Sequence, residues 1–256
     1  FDTTDEAYYG KVSGLWIHPQ RPVAGSTGCF KFITVSCTDR NTKLILGSLP
    51  VRTGAGTVEL VMELVEQALQ FVRPEIALFD RGFDDYRLVE ALQKVRLRYQ
   101  ILWRKHKWAR AFFKTMKRGA VQEVAREGNY SRDKSKHKVK LRFVLIKKYK
   151  RYRNGKAYDW VFCTNTRQRS QHFYVDKYRK RWNIETAFRV LDNIQIKTTT
   201  RNEVIRYFIN MFCCLVYNLW KCANLLEGKI TLKNFVAKIA KTIRFMQQEI
   251  SRDPGG

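Results

Sequence analysis

Hydrophobic and polar residues follow a strand-like pattern in the first part of the chain. β-Branched and aromatic residues are concentrated in three stretches that are bounded by turn-forming residues. We therefore predict three consecutive strands, in FDTTD (1–5), CFKFITVSCTD (29–39) and TKLILGSLPV (42–51).

The hydrophobic period then switches between helix and strand. Apolar residues recur at helical spacing in 57–72, and the wholly apolar run at 76–79 suits a buried strand that ends at Asp80. A second helical pattern covers 84–97, and YQILWR (99–104) predicts another buried strand. This order predicts an α/β fold, with helices packed on a mixed sheet that is partly parallel.

The pattern of the middle of the chain is different. The stretch 105–128 predicts one or two basic helices, and KVKLRFVLI (138–146) alternates as a half-exposed strand would. Asn154 and Gly155 form a strong signal for a hairpin turn, because both accept the positive φ that a tight turn requires. We therefore predict a β-rich, basic insertion at 105–165.

Two helical patterns follow, at about 170–192 and 201–227. These patterns divide the chain into four expected parts. They are the first part of the core (1–104), the basic insertion (105–165), the core helices that carry Glu185 (166–228), and a C-terminal helix and tail (229–256).

Positive charge dominates the composition. The formal net charge is +26, which makes a polyanion the expected partner. Between Ser131 and Lys156 there are twelve Lys or Arg and one acid, a bias that favours contact with a phosphate backbone over a merely solvated face. Membrane attachment is the competing use of such charge. The most apolar run, FINMFCCLVYNLW (208–220), is too short to span a bilayer, and we expect a buried helix there.

Three carboxylates are candidates for a shared site. Asp80 follows a predicted buried strand, at the edge where open α/β sheets bind ligands, and Asp2 lies in the first predicted strand. Glu185 is four residues after Arg181, so its simplest interpretation is a surface ion pair on one helix. An exposed position on a frayed end is the alternative for Asp2. If the three converge, they suit two Mg²⁺ ions that catalyse in-line phosphoryl transfer.

The segment YVDKYRKRWNIETAFRVLD (174–192) strengthens this hypothesis. Spacings of three and four residues place a mixed set of side chains on one face of a helix: Tyr178, Arg181, Glu185, Phe188 and Asp192. Here the sequence resembles the DDE transposases of prokaryotic insertion sequences, in the branch with a Tyr-x2-Arg-x3-Glu-x6-Lys signature. FDRGFDD (79–85) and FDTTDEAYYGK (1–11) are similar to the family's segments around its second and first aspartates.

The resemblance implies a ribonuclease-H-like fold with a β-rich insertion between the second Asp and the Glu. It implies Asp2, Asp80 and Glu185 as catalytic ligands of two Mg²⁺ or Mn²⁺ ions, and Tyr178 and Arg181 as contacts to DNA phosphate. The implied function is cut-and-paste transposition: cleavage of double-stranded DNA at transposon ends and strand transfer into target DNA. A homodimer on paired ends, in a prokaryotic cytoplasm, is implied with it.

Some assignments have alternatives. Trp160 is a candidate for stacking on a DNA base, or else a core residue of its strand. Asp192 stands where the signature has Lys, so either Lys197 or Arg189 supplies that DNA contact or this copy is impaired. Asp5 and Asp84 lie close to Asp2 and Asp80, which are preferred over them by alignment with the family's motifs alone.

Two other functions remain open. One is a decayed or repurposed domain that binds DNA without chemistry, and the other is a ribonuclease-H-like nuclease without strand transfer. The chain also opens abruptly on FDTTD, as if cut from a longer protein, so we expect a preceding domain that recognises DNA ends.

Overall fold

Two β-sheets form the framework of the chain. The computed structural model describes residues 1–38, 43–132, 135–151, 157–167, 170–194, 196, 198–226 and 228–252. The strands are β1 (Asp2–Tyr8), β2 (Gly28–Thr38), β3 (Lys43–Val51), β4 (Ala77–Phe79), β5 (Tyr99–Leu102), β6 (Val121–Arg132), β7 (Ser135–Arg151) and β8 (Ala157–Thr164). The helices are α1 (Thr57–Phe71), α2 (Tyr86–Lys94), α3 (Lys107–Thr115), α4 (Gln171–Arg179), α5 (Trp182–Leu191), α6 (Glu203–Leu226) and α7 (Leu232–Arg252).

The first sheet is antiparallel, with the order β1-β2-β3. Asp2 lies opposite Thr34 in this register. Helix α1 covers one face of the sheet and buries Val61 and Leu64 against Ile33. The three strands and the helix predicted from the pattern are therefore confirmed, with ends that differ by a few residues.

The second sheet is mixed and has the order β4-β5-β8-β7-β6. Strands β4 and β5 are parallel, and every other neighbouring pair is antiparallel. The two sheets meet at Phe1, whose backbone nitrogen donates to the carbonyl of Leu78 at 2.7 Å and whose ring stacks on Phe79. This contact brings the start of β1 beside the end of β4, where Asp80 follows.

Strand β7 shows why the second sheet is stable. The alternating side chains Val139, Leu141, Phe143 and Leu145 are buried in one core with α2 and α3, as the pattern predicted. Val144 and Ile146 point to the other face and are also buried there, together with Tyr174 and Val175 of α4. At residues 143–146 the strand is therefore covered on both faces, and the expected half-exposed strand is wrong for this part.

The segment 105–165 contains α3 and strands β6 to β8. Its last strand pairs with β5, so these strands continue the sheet that begins with β4. The helices and sheets together form a mixed α/β fold that is compatible with a ribonuclease-H-like fold. The separate insertion and the domain boundaries stay predictions, and the predicted turn at Asn154 and Gly155 lies outside the described residues.

Three sequence expectations need correction. Val121–Gly128 is part of a strand and not of a helix, because Gly119 (φ +78°) interrupts the chain and β6 then pairs along β7. The helical pattern at 170–192 forms two helices, α4 and α5, that are separated at Lys180 and Arg181. Helix α6 was expected to be buried, but only one side packs on β3, and Phe208 on the other side is 66% exposed.

Asn218 explains how α6 is held on the first sheet. Its side-chain oxygen accepts from the backbone nitrogen of Ile45 at 2.9 Å, and its side-chain nitrogen donates to the carbonyl of the same residue at 2.8 Å. An amide in an apolar helix thus satisfies backbone groups at the edge of β3, which would otherwise be buried without partners.

Candidate active site

Three strand ends meet at one edge of the mixed sheet. Because β4 and β5 are parallel, their carboxyl ends lie at the same edge, and the antiparallel β8 begins there. Asp80 directly follows β4 and precedes a short 3₁₀ turn, Arg81–Phe83. Open α/β sheets commonly bind ligands at this kind of edge, because the chain leaves the sheet and frees polar groups there.

The guanidinium of Arg181 joins the three predicted carboxylates. Its Nη1 contacts Oδ2 of Asp2, and its Nη2 lies 2.5 Å from Oε1 of Glu185 and 3.8 Å from Oδ1 of Asp80. The oxygens of Asp80 and Glu185 share one nitrogen, so they are separated by no more than these two distances together. The structure therefore brings Asp2, Asp80 and Glu185 together around one cation.

The interruption between α4 and α5 places Arg181. The backbone nitrogen of Arg181 donates to the carbonyl of Tyr178 at 2.9 Å, and the arginine side chain is almost entirely buried. Tyr178 is buried against Trp160 and Phe162 of β8, and its hydroxyl donates to Oδ1 of Asp80 at 3.2 Å. An aromatic core thus fixes the residue that orients Asp80.

Burial governs the electrostatics of this site. It raises the pKa of Asp2, although the nearby Arg181 acts in the opposite direction. It also raises the pKa of Tyr178, which therefore keeps its proton and remains a donor to Asp80. Burial lowers the pKa of Arg181, but Tyr178 and the three carboxylates outweigh it and keep this pKa above its usual value.

The two alternative aspartates have other partners. Oδ2 of Asp84 lies 3.0 Å from Nε of Arg104, and Oδ1 of Asp5 lies 3.5 Å from Nζ of Lys31. Neither contacts Arg181. Asp2 and Asp80, unlike Asp5 and Asp84, thus lie in the cluster around Arg181.

The predicted DNA contacts are distributed differently. Trp160 is 3% exposed and packs between Tyr158 and Phe162, which favours the interpretation as a core residue. Asp192 and Arg189 are exposed near the end of α5. Lys197 lies outside the described residues.

Several residues near the site were not predicted from the sequence to belong to it. Arg81 follows Asp80 directly, and its Nη2 donates to the hydroxyl of Tyr158. The ammonium of Lys105 lies 3.8 Å from the centroid of the same tyrosine ring. Their positions carried a signal, because Arg81 and Lys105 both follow the ends of predicted strands that turned out to be parallel.

The donor chemistry of the three carboxylates fits a hard divalent cation. Among the described residues, however, no group of three or more His, Cys, Asp or Glu side chains is arranged to hold a metal ion by itself. The Arg181 guanidinium lies among these acids instead, and its buried Nε has no hydrogen-bond partner. Asp2, Asp80 and Glu185 would thus hold a metal only after Arg181 gives up contacts with them.

Fold and site together define an α/β protein with a cluster of three carboxylates at the edge of a mixed sheet. The profile of a family described as "Transposase DDE domain" matches residues 21–219. This range covers most of the chain and includes Asp80, Arg181 and Glu185, whereas Asp2 precedes it. The chain belongs to the DDE transposase family.

Family membership suggests transposase activity and implies a DNA substrate, and such domains usually use divalent metals. A comparison with curated proteins gave no match. Within the described part of the chain, no helix has both the length and the apolar character needed to cross a membrane.

Proposed function

We propose that this chain is a transposase catalytic domain that cleaves DNA at transposon ends and transfers the strands into target DNA. The convergence of Asp2, Asp80 and Glu185 on Arg181 is the observation that carries the proposal. Within the family, we assign the chain to the prokaryotic branch with the Tyr-x2-Arg-x3-Glu signature, on the basis of Tyr178, Arg181 and Glu185.

The three carboxylates would hold two Mg²⁺ or Mn²⁺ ions. When bound, these ions supply activation of a water or a DNA 3′-hydroxyl and stabilisation of the leaving oxygen. Tyr178 orients Asp80 through its hydrogen bond. Arg181 balances the negative charge of the acids, and once released from Asp80 and Glu185 it is available to a DNA phosphate in the same place.

Cleavage assays test the proposal against its two alternatives. The wild-type protein is incubated with Mg²⁺ or Mn²⁺ and duplexes that end in the terminal sequences of the element that encodes it. The proposal requires metal-dependent cleavage and products joined to a target plasmid. Binding without cleavage would establish a DNA-binding domain, and cleavage without joined products would establish a nuclease.

A divalent ion should stabilise the folded protein through the same carboxylates. At a Mn²⁺ concentration near 100 times its dissociation constant, ligand binding adds about 2.7 kcal/mol to the free energy of unfolding. We expect Mn²⁺ to raise the Tm of the wild type, and to raise that of Asp80→Asn much less. Differential scanning fluorimetry measures both.

Asp5→Asn is the matched control for this experiment, because Asp5 lies on the same strand as Asp2 but contacts Lys31. This variant should respond to Mn²⁺ as the wild type does. An equal rise in Tm for Asp80→Asn would show that Asp80 is not a ligand.

We also propose that the protein acts as a homodimer on paired DNA ends. An apolar stripe on α6 supports self-association, because it is exposed along several turns and carries no charge: Phe208, Phe212, Leu215 and Leu219. We expect light scattering to give the mass of a dimer bound to DNA, and Leu215→Glu to shift the complex toward one protomer. A monomeric wild-type complex would contradict this proposal.

A further inference from the structure

Two cations converge on one tyrosine beside the candidate active site. Nη2 of Arg81 donates to the hydroxyl of Tyr158, and Nζ of Lys105 lies 3.8 Å from the centroid of its ring. The phenol thereby holds a guanidinium at its polar end and an ammonium over its face. We call Arg81, Lys105 and Tyr158 the basic cradle.

No carboxylate of the described residues neutralises the cradle. With the described residues, neither Arg81 nor Lys105 forms an ion pair within 4.0 Å, although Arg104 next to Lys105 forms one with Asp84. The charge of Asp159 acts on Lys105, but Oδ1 of Asp159 accepts a hydrogen bond from the backbone nitrogen of Lys148 at 2.9 Å. The cradle thus keeps two positive charges close together with little local compensation.

Burial makes the positive charge of Lys105 less favourable and lowers the pKa of its ammonium. The positive charges of Arg81 and Arg110 lower this pKa further, whereas Asp159 raises it. Bringing like charges together costs free energy, which an anion bound between them would offset.

The cradle lies next to the carboxylates and on the same face of the sheet. Tyr158 contacts Trp160, with ring centroids 4.9 Å apart, and Trp160 contacts Tyr178 at 6.0 Å. Tyr178 in turn donates to Asp80. Arg81 is also adjacent to Asp80 in the chain, so an anion in the cradle would lie beside the reacting phosphate and not on it.

We propose that Arg81 and Lys105, positioned by Tyr158, bind a backbone phosphate of the DNA strand next to the phosphate that is cleaved. This inference rests on the proposed function, because it takes DNA as the substrate of the adjacent carboxylates. Arg81 offers paired N–H donors to phosphate oxygens, and Lys105 supplies a second charge from the other side. The cradle would fix the position of the strand relative to Asp80.

DNA binding in the absence of divalent ions tests the cradle separately from catalysis. The probe is a fluorescein-labelled duplex with the terminal sequences of the element, and its Kd is measured at several KCl concentrations. The double variant Arg81→Gln/Lys105→Gln should bind about tenfold more weakly, as expected for the loss of hydrogen bonds to a charged group. The slope of log K against log salt should become shallower by about 1, because one fewer phosphate is neutralised.

Lys11→Gln is the matched control, because this exposed lysine follows the end of β1 that is farthest from Asp2. It should keep the wild-type Kd and slope. Circular dichroism and Tm verify that the double variant is folded. A folded double variant with the Kd and slope of the control would overturn the proposal.

Uncharged phosphate analogues in the DNA identify which phosphate the cradle contacts. Methylphosphonate groups replace single phosphates in the duplex, and one position should weaken wild-type binding but have no further effect on the double variant. If every position affects the two proteins equally, the cradle acts only through overall charge and the proposal is wrong.

The outcome is distinguishable from failure of the proposed function. If the wild type cleaves DNA but the double variant binds normally, only the cradle is excluded. If the wild type binds DNA through the cradle but never cleaves, the cradle stands as a DNA contact and the catalytic assignment fails.

Discussion

Replacing Glu185 by Gln should reduce metal-dependent DNA cleavage by about 10³-fold or more, the scale of loss seen for central catalytic groups. The amide keeps the size of the side chain but removes its negative charge and one of its oxygen donors. The oxygen of Glu185 lies 2.5 Å from Nη2 of Arg181, so this change also removes an ion pair. Because Glu185 is partly exposed, we expect little change in folding.

Two quantities are measured: the initial rate of cleavage in the presence of Mn²⁺, and the Kd of the protein for the same duplex in the absence of metal. Glu203→Gln is the matched control, because Glu203 also lies in the first turn of a helix but has no ion pair among the described residues. It should retain normal cleavage. Glu185→Gln should still bind DNA, and undiminished cleavage by this variant would refute the assignment of Glu185.

Replacing Arg206 by Ala should lower the free energy of unfolding by about 3 kcal/mol or more, since it breaks a buried ion pair. Arg206 is buried at the start of α6 and contacts Oε1 of Glu6 on β1. It also donates to the carbonyls of Thr200 at 3.0 Å and Thr198 at 2.8 Å, and lies over the ring of Phe30. The variant leaves a buried carboxylate and two carbonyls without their donor.

Urea denaturation measures this loss, and its pH dependence identifies the cause. Burial already raises the pKa of Glu6, although Arg206 opposes the rise, so removing Arg206 should raise it further. A raised folded-state pKa means that the folded variant gains stability as pH falls toward the ordinary pKa of Glu, where Glu6 is protonated in both states. The deficit relative to wild type should therefore shrink in acid.

Arg201→Ala is the control for this prediction, because Arg201 is exposed in the same segment and should change stability by less than about 0.5 kcal/mol. Equal stability of Arg206→Ala and wild type would mean that Glu6 finds another partner or water. A deficit that is constant with pH would assign the loss to packing on Phe30 and not to the charge of Glu6.

Local patterns predicted most elements of this fold. The strands and helices up to Leu102 agree with the structure within a few residues, because hydrophobic period and turn residues are properties of short segments. The errors arose where tertiary contacts override the period. Val121–Gly128 has a helix-like pattern, but pairing with β7 makes it a strand. The exposed side of α6 is as apolar as its buried side, so the hydrophobic pattern could not distinguish the two sides.

The candidate site was predictable only in part. Asp80 and Glu185 could be selected from their places after a strand and on a helix, and Asp2 by resemblance. Their common contact with Arg181 could not be predicted, because it depends on how α4 packs on the mixed sheet while α5 packs on the antiparallel sheet. The simplest interpretation of Glu185, an ion pair with Arg181, is correct as a contact, and the same guanidinium also contacts Asp2 and Asp80.

The charge, the order of the elements and the acidic, aromatic and basic residues available for chemistry can all be read from the amino-acid sequence. Which of these residues meet depends on the tertiary fold. Parallel pairing of β4 and β5 places Asp80, Arg81 and Lys105 at one edge, and the antiparallel β8 adds Tyr158 there. The physical reason is that convergence at a sheet edge follows from strand direction and neighbour order, which long-range pairing sets and no local pattern contains.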